Sequence, residues 1–370
     1  MPHITAVGTA VPPYRLEQAQ AKEFARALFG AALPSIDRLV EAYDNAQIVT
    51  RNFCAPIDWF AERHTFREKN DLYIANAIAL SEEAIALCLE RAGLRHEDID
   101  DIIFVSTTGL ATPSIDARLI ERLPFRRDIR RLPVWGLGCA GGVAAIARAA
   151  DIATARPHAR VLAVVVELCG LTFVPNDLSK GNLIASALFG DGAAAVLIEG
   201  DAVGADGPRV VGSATRTLPD SLDVMGWSIS EEGFGIVISR DIPTIVRTFM
   251  RESIDHLLGT HDVPLDRVRH LIAHPGGAKV LEAYQESLDR TPDDFRHTWD
   301  VLREYGNMSA ASVLFVLERF LGEREKGEGK REGSRVGMPL EASSGYKGEY
   351  ALIGALGPGF SSELVLVEWG

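Results

Sequence analysis

The chain has 370 residues, a hydrophobic content of 47%, a charged content of 24% and a formal net charge of −13. This length can bury a large core and is more typical of two fused half-domains than of one small domain. The acidic balance excludes a general affinity for nucleic acid or for an anionic membrane, because both need basic surface, but it allows a local basic patch that binds an anionic small molecule.

The four cysteines are widely separated, with no Cys-x-x-Cys pair and no histidine at metal-ligand spacing. We therefore expect no metal site and no disulfide framework. The first residues lack the basic and apolar segments of a signal peptide. The longest apolar run, residues 161–174, is 14 residues long and contains Glu167, so it is too short to span a bilayer. The sequence predicts a cytoplasmic protein without integral membrane association.

Strand-like and helix-like patterns alternate along the chain. The first half predicts strands over residues 3–11, 99–108, 132–138, 159–168 and 192–200, and helices over 71–93, 114–123 and from Ala140 onward. The second half predicts helices over 241–261 and 308–322, a strand with a glycine turn over 268–277, and a closing hairpin formed by 349–359 and 362–370. Strands rich in Val, Ile and Ala that are separated by helices predict an α/β architecture with buried sheets.

The two halves repeat the same order of elements, which suggests a duplication. We place the boundary inside the Gly- and Asp-rich stretch 199–210, which gives an N-terminal half 1–205 and a C-terminal half 206–370. Residues 322–335 combine mixed charges with glycines, and this composition predicts a solvated loop before the final strands.

Cys139 lies in Gly-Cys-Ala-Gly-Gly, between an apolar strand and an Ala-rich helix. A helix that begins directly after the thiol would present unpaired N–H groups and the positive end of its dipole, and both favour the thiolate. A small structural cysteine is about as common at such a position, so the motif alone leaves both interpretations open.

His274 ends a predicted strand and precedes Pro-Gly-Gly, a turn that lets a long ligand approach the backbone. Taken alone, a histidine there is more often a core residue, and Asn307 before a predicted helix is an ordinary N-cap. Together the residues form a coherent set: a Cys139 thiolate, His274 as its ion-pair partner, and His274 with Asn307 as donors to a developing oxyanion. This set predicts acyl transfer through a thioester.

Five short motifs occur in the order and at the spacings of the chalcone synthase-like type III polyketide synthases, and the chain resembles this family over nearly its whole length. They are GCAGG (138–142), LFGDGAAA (188–195), HPGG (274–277), GNMSAAS (306–312) and GPG (357–359). The resemblance implies the thiolase fold, a duplicated αβαβα layered architecture. Residues 167–192 are most similar to bacterial alkylpyrone and alkylresorcinol synthases, which take long fatty acyl starters.

The resemblance gives Cys139 the role of the acyl-carrying nucleophile, and His274 and Asn307 that of stabilising the enolate formed from malonyl-CoA. It implies loading from acyl-CoA, two or three decarboxylative Claisen extensions, and cyclisation to a pyrone or a resorcinol. It also implies a homodimer that uses CoA thioesters as substrates and needs no bound cofactor.

Three positions correspond to gatekeeper residues or to the closing loop of the type III polyketide synthases that the chain resembles. Phe189 matches a gatekeeper Phe between the CoA tunnel and the reaction cavity, whereas the second gatekeeper Phe falls at Ile236. Leu356 stands where the closing loop usually carries a Phe. The aromatic clamp is therefore predicted to be halved.

Three further positions bear on the shape of the substrate pocket. Thr112 stands where plant enzymes carry a Met that reaches into the partner subunit's cavity, Cys169 where they carry a Thr, and Trp227 where they carry a cavity Gly. We expect Thr112 and Cys169 to open a tunnel and Trp227 to narrow another wall. Each change by itself is equally well explained as neutral repacking.

The basic positions that bind CoA phosphates in the family are mostly absent. Only Arg38 matches one of them, whereas Glu41 and Asn45 occupy two others. The resemblance assigns the CoA contacts to Arg38, Gly276, Gly277 and Lys279.

Three alternatives remain open at this point. A ketoacyl synthase III-like enzyme would condense once onto an acyl carrier protein and needs a basic docking face, for which residues 125–131 are the one candidate cluster. A cysteine hydrolase could use the same Cys-His pair. A catalytically silent partner subunit is disfavoured, because all three reactive residues are intact.

Overall fold

The computed structural model describes residues 1–328 and 348–369. Its strands are β1 (His3–Ala10), β2 (Tyr14–Glu17), β3 (Thr50–Phe53), β4 (Asp101–Val105), β5 (Arg130–Val134), β6 (Arg160–Leu168), β7 (Asp191–Glu199), β8 (Arg209–Thr217), β9 (Met225–Ser230), β10 (Gly233–Ile238), β11 (Val268–Ala273), β12 (Tyr350–Gly357) and β13 (Ser361–Glu368). Its helices are α1 (Gln18–Phe29), α2 (Ile36–Leu39), α3 (Glu41–Asn45), α4 (Phe66–Ala92), α5 (Ile115–Arg122), α6 (Gly141–Ala155), α7 (Lys180–Leu188), α8 (Ile242–Thr260), α9 (Ala278–Leu288), α10 (Arg296–Tyr305) and α11 (Ser312–Glu328).

Nine strands form one mixed sheet in the order β11-β12-β13-β8-β1-β7-β6-β4-β5. The two halves of the chain meet at its centre, where His3 of β1 pairs with Arg209 of β8. The strands β4, β5 and β6 run parallel at one end, and β11 and β12 run parallel at the other. Two small sheets, β2-β3 and β9-β10, lie outside the main sheet.

The helices form layers around this sheet. Helices α6 and α11 share one core cluster with strands of both halves, so they form a central layer. Helix α4 packs against β1, β6 and β7, and α8 and α9 cover the strands of the C-terminal half. The α/β prediction is confirmed, because the buried strands are covered by helices on both faces.

Helix α4 shows how local sequence fixes an element. Thr65 and Glu68 form a reciprocal capping box at its start, and Gly93 adopts φ +65° at its C-cap, where the sequence predicts the end of a helix. Of the helices that the structure describes, α4 is the one long and apolar enough to cross a membrane. It packs against the main sheet, as the core helix of a folded domain does.

The predicted loop 322–335 is wrong at its start, where the chain is helix, because α11 continues to Glu328 through Glu, Arg and Lys, which are good helix formers; residues 329–335 lie outside the described residues. The strand predicted over 159–168 is confirmed as β6, after which the apolar run continues as a short 3-10 helix, Cys169–Thr172. The stretch 199–210 connects β7 to β8, and the domain boundary placed in it stays a prediction.

Candidate active site

Cys139 lies on a 3-10 turn that leads directly into α6. Two glycines allow the C-terminal half to pack against this turn. A Cβ on Gly138 (φ +48°) would lie 2.5 Å from Pro358, and a Cβ on Gly357 would lie 2.4 Å from the carbonyl oxygen of Leu137. The Gly-Pro-Gly motif thus holds the cysteine turn in place, which explains why both motifs are rich in glycine.

The environment of the thiol differs from the sequence-based expectation. Burial, and after it the negative charge of Glu167, raises the pKa of Cys139 to about 12, although hydrogen bonds with Ser309 and Asn307 act in the opposite direction. Desolvation of the charged sulfur thus opposes the thiolate that the start of α6 favours, and the thiolate stays a prediction.

His274 follows β11 and is 3% exposed. Its main-chain N–H donates to the carbonyl of Gly354 at 2.9 Å, whereas neither ring nitrogen has a hydrogen-bond partner among the described residues. Burial lowers the pKa of His274 to about 3. Burial therefore disfavours an isolated charge on either group, and the thiolate–imidazolium pair stays a prediction.

Asn307 is held by the hydrogen bonds of its side chain. Its Oδ1 accepts the main-chain N–H of Ser309 at 2.8 Å, and its Nδ2 donates to the carbonyl of Gly276 at 3.2 Å. Asn307 is not the N-cap of the following helix, because α11 begins only at Ser312. The bond from Ser309 orients the amide so that its nitrogen is presented as a donor.

The structure brings the three predicted residues to one place. The Cys139 turn packs against the turn that follows Asn307, and a Cβ on Gly142 would lie 2.2 Å from the carbonyl oxygen of Ala310. Gly276, which accepts the hydrogen bond of Asn307, lies against the imidazole of His274: a Cβ on Gly276 would lie 3.7 Å from Nε2. A thiol, an imidazole and an oriented amide therefore surround one site.

The sequence analysis assigned no role to Glu167 or to its hydrogen-bond partners Thr107 and Ser309. Its carboxylate accepts the main-chain N–H of Thr107 at 3.0 Å and the hydroxyl of Thr107 at 2.7 Å, and a hydrogen bond with Ser309 also acts on it. Burial raises the pKa of Glu167 to about 7. The available signal was an acidic residue inside an otherwise apolar strand, which indicates a buried, partnered carboxyl group.

An apolar cavity lies beside Phe189, the bridge partner of Asn307, with an empty space of about 630 Å³ that includes open solvent at its mouth. Cys139, His274 and Asn307 themselves do not line it. Three predicted pocket residues, Cys169, Phe189 and Ile236, line it. The rest of its wall is largely aromatic and comes from the N-terminal half, with Phe24, Phe29, Phe53, Phe60 and Phe173 among its members. Cys169 lies near the nucleophile, because the charge of Cys139 contributes to the raised pKa of the Cys169 thiol.

The other predicted pocket residues lie elsewhere. Thr112 is exposed at the surface and does not line this cavity, so the expected tunnel between Thr112 and Cys169 does not form within one chain. Leu356 is buried in the core cluster under α8 and α9, which also contains Phe360, and it does not line the cavity. Trp227 contacts the ring of Phe189, with ring centroids 6.2 Å apart.

The four predicted CoA contacts divide into two kinds. Arg38 on α2 and Lys279 in the first turn of α9 are exposed, as a side chain that binds a phosphate must be. Gly276 and Gly277 form the turn after His274, and Gly277 has φ +143°, a conformation that favours glycine. Their contact with CoA stays a prediction.

Comparison with solved structures identifies proteins that share this fold. The crystal structure of 1,3,6,8-tetrahydroxynaphthalene synthase from Streptomyces coelicolor A3(2), described as a bacterial type III polyketide synthase, has a TM-score of 0.87 at 29% identity and covers 99% of each chain. The crystal structure of PKS-I from the brown alga Ectocarpus siliculosus has a TM-score of 0.89 at 25% identity, covering 100% of this chain and 98% of that one. The predicted thiolase fold is confirmed.

The sequence comparisons identify the family. The model of the chalcone and stilbene synthases, N-terminal domain, matches residues 55–202, and that of their C-terminal domain matches residues 209–368. A Bacillus subtilis (strain 168) protein provisionally named a chalcone synthase is 40% identical, covering 100% of this chain and 99% of the relative. The 1,3,6,8-tetrahydroxynaphthalene synthase of Streptomyces peucetius subsp. caesius is 37% identical, covering 99% and 93%.

The chain therefore belongs to the chalcone and stilbene synthase family of type III polyketide synthases, which are decarboxylating, condensing acyltransferases. The family prediction and the enzyme class are confirmed. These matches favour the polyketide synthase over the ketoacyl synthase III-like enzyme, the cysteine hydrolase and the silent subunit.

Proposed function

We propose that the protein loads an acyl group from a long-chain acyl-CoA onto Cys139, extends it two or three times with malonyl-CoA, and releases a pyrone or a resorcinol. The observation that carries this proposal is the apolar, aromatic-walled cavity beside Cys169 and Phe189. An alkyl chain held there leaves water, and each buried methylene contributes about 0.8 kcal/mol.

Acyl loading begins with the Cys139 thiol and the His274 imidazole both neutral. With its pKa lowered by burial, His274 is unprotonated and accepts the proton of the Cys139 thiol as Sγ attacks the thioester carbonyl. The carbon–sulfur bond to CoA then breaks, and the departing CoA thiolate takes the proton back from the imidazolium. Cys139 carries the acyl group, and His274 is neutral again for the next step.

Decarboxylation uses the same imidazole as a donor. The thioester carbonyl of malonyl-CoA would accept hydrogen bonds from Asn307 Nδ2 and from the N–H of neutral His274 while the carbon–carbon bond to CO₂ breaks. These fixed donors in a water-poor site stabilise the enolate oxygen. The enolate carbon then attacks the acyl group on Cys139, a new carbon–carbon bond forms, and the Cys139 thiolate leaves.

The active form that we propose is a homodimer. Strand β5 ends the main sheet, so one of its edges is unpaired by any described strand. Leu132 on this strand and Trp135 just after it are 41% and 48% exposed. The strand also carries Arg130, Arg131 and Pro133, but exposed apolar side chains beside an unpaired strand edge favour cover by a second copy. Leu132→Glu should convert the dimer to a monomer in analytical ultracentrifugation.

We place the enzyme in the cytoplasm, with acyl-CoA and malonyl-CoA as substrates and no bound cofactor or metal. Extensive dialysis against a chelator should therefore leave the condensation rate unchanged. A loss of activity that added metal restores would contradict this part of the proposal.

The decisive experiment is product analysis by mass spectrometry after incubation with malonyl-CoA and a series of acyl-CoAs from acetyl to stearoyl. The proposal expects pyrones or resorcinols that contain a long alkyl chain, with turnover rising along the series until the cavity is full. A product formed from malonyl-CoA alone would contradict the acyl-starter assignment.

A further inference from the structure

Arg51 on β3 is among the most deeply buried side chains, although it carries a charge, and it forms part of the wall of the cavity described above. It is 1% exposed. Its Nη1 donates to two main-chain carbonyls, those of Ser186 and Phe189, both at 2.7 Å. Burying a guanidinium is costly unless its hydrogen bonds and its charge are compensated, so this placement requires an explanation.

The two carbonyls belong to the C-terminal end of α7, where helix carbonyls lack partners within the helix. The last four main-chain carbonyls at this end all accept hydrogen bonds from groups outside the helix. Arg51 donates to those of Ser186 and Phe189. Gln18 Nε2 donates to that of Ala187 at 2.9 Å, and the N–H of Asn307 donates to that of Leu188 at 2.9 Å. Arg51 also places a positive charge at the negative end of the helix dipole. It is therefore a cap of α7.

The same side chain reaches the second segment of the active site. The aliphatic part of Arg51 packs over Gly306, where a Cβ would lie 2.8 Å from Cδ and 2.9 Å from Cγ. Gly306 directly precedes Asn307, which forms a parallel bridge with Phe189 and accepts the N–H of Gly190 at 3.0 Å. Arg51 thus contacts both backbones of this bridge.

The charge of Arg51 is compensated inside the protein. Asp191 lies near enough for its charge to act on the guanidinium, and the ring of Phe53 lies 5.3 Å from the guanidinium carbon. The carboxylate of Asp191 accepts the N–H groups of Gly170 and Cys54 at 2.7 and 2.9 Å. Asp191 thus compensates the charge of Arg51 from a distance, while the two bonds of Nη1 to main-chain carbonyls hold the guanidinium; Nε has no hydrogen-bond partner among the described residues.

We propose that Arg51 is a positioning residue that holds Phe189 and Asn307 in register with each other, and so holds the donor amide at the reacting carbonyl. The inference rests on the proposed role of Asn307 in enolate stabilisation. The Cys139 turn also packs against Pro358 of the C-terminal half, a contact in which Arg51 takes no part. Loss of Arg51 should therefore impair malonyl-CoA decarboxylation and leave acyl loading almost intact.

The test compares Arg51→Met with Gln18→Met, which removes a different cap from the same helix end without touching Phe189 or Gly306. Two rates are measured for each variant: acyl loading on Cys139 by intact mass, and formation of acetyl-CoA from malonyl-CoA. We expect Arg51→Met to lower decarboxylation at least tenfold relative to loading, and Gln18→Met to leave this ratio unchanged. An equal loss of both rates, or the same ratio in both variants, would overturn the proposal.

A second readout does not depend on activity. Amide hydrogen exchange of peptides that cover residues 188–190 and 306–309 should accelerate in Arg51→Met and not in Gln18→Met, because the main-chain bonds between Asn307 and the Leu188–Gly190 segment loosen. If the unmodified enzyme neither loads nor decarboxylates, the proposed function fails, and exchange alone decides the positioning role. If Arg51→Met does not fold, Arg51→Lys serves in both assays. Lysine keeps the charge and most of the aliphatic side chain but lacks the guanidinium. Unchanged exchange and an unchanged rate ratio in that variant would overturn the inference.

Discussion

Trp227 lies directly opposite Ile236 in the β9-β10 hairpin, and its indole packs against the ring of Phe189 with the centroids 6.2 Å apart. Opposite residues of an antiparallel pair project from the same face, with Cβ atoms about 5 Å apart. The aromatic ring that is missing at Ile236 is therefore supplied by its cross-strand neighbour. The clamp predicted to be halved still has two aromatic rings, one of them from a different strand.

Replacing Trp227 by Gly should open the wall beside Phe189 and admit bulky aromatic starters, because the indole occupies that space. We expect kcat/KM for such starters, relative to a medium-chain acyl-CoA, to rise about tenfold, equivalent to roughly 1.4 kcal/mol. Adding Ile236→Phe should reverse the change, since the new ring would project from the same face. Ile229→Ala, on the same strand and 63% exposed, is the control. A double variant that behaves like Trp227→Gly would show that the rings do not replace each other.

Replacing Cys139 by Ala should abolish acyl loading, because the atom that forms the thioester is removed. Cys88→Ala should load normally, because the Cys88 thiol is buried in α4 and donates a hydrogen bond to the carbonyl of Ala6 at 3.6 Å. Burial also raises the pKa of Cys88 to about 12. Intact-mass analysis after incubation with an acyl-CoA checks both variants. An adduct that persists in Cys139→Ala would exclude Cys139 as the nucleophile.

Asn307→Ala should lose malonyl-CoA decarboxylation while retaining acyl loading, because only the enolate needs the amide donor. Removal of one such donor lowers the rate by about 10²–10³-fold. The rates are measured as acetyl-CoA release and as the intact-mass adduct. Equal losses in the two assays would mean that Asn307 chiefly maintains the turn to Ser309.

Cys169→Phe should fill the cavity next to the nucleophile and shift preference to short acyl starters, with decarboxylation unchanged. Each methylene that no longer fits loses up to about 0.8 kcal/mol of binding. A chain-length series of acyl-CoAs measures the effect, and Cys169→Ala, which enlarges the space instead, is the matched control. If both variants keep the chain-length profile of the unmodified enzyme, the starter chain does not enter this cavity.

Glu167 should make stability depend on pH, because burial raises its pKa to about 7 in the folded protein against 4.5 ordinarily. The folded state thus binds the proton more tightly than the unfolded chain. Its stabilising contribution is present below about pH 4.5 and is lost as the pH rises through about 7. Between pH 5 and pH 8, the free energy of unfolding of Glu167→Gln should therefore rise relative to the unmodified protein, by at most about 3 kcal/mol.

Chemical denaturation across this pH range checks the Glu167 prediction, with Glu90→Gln on an exposed position of α4 as the control curve. Parallel curves for Glu167→Gln and the unmodified protein would show that the carboxyl group does not change its protonation on folding.

Sequence by itself determined the features that depend on local pattern. The alternation of apolar strands and helices predicted the α/β class, because a strand or helix must bury its own apolar residues whatever its neighbours are. The glycines around Cys139 and after His274 marked tight turns, because only a residue without a side chain allows another backbone so close. The end of α4 at Gly93 followed from the left-handed conformation that a helix terminus adopts there.

Tertiary structure alone decided the features that depend on residues far apart in the chain. Burial by both halves raises the pKa of Cys139 and lowers that of His274, and a local helix start gives no sign of this opposing effect. The replacement of an aromatic ring at Ile236 by Trp227 required the strand register of the hairpin. The convergence of Arg51, Phe189 and Asn307 required three segments to meet, and no local pattern encodes the distance between them.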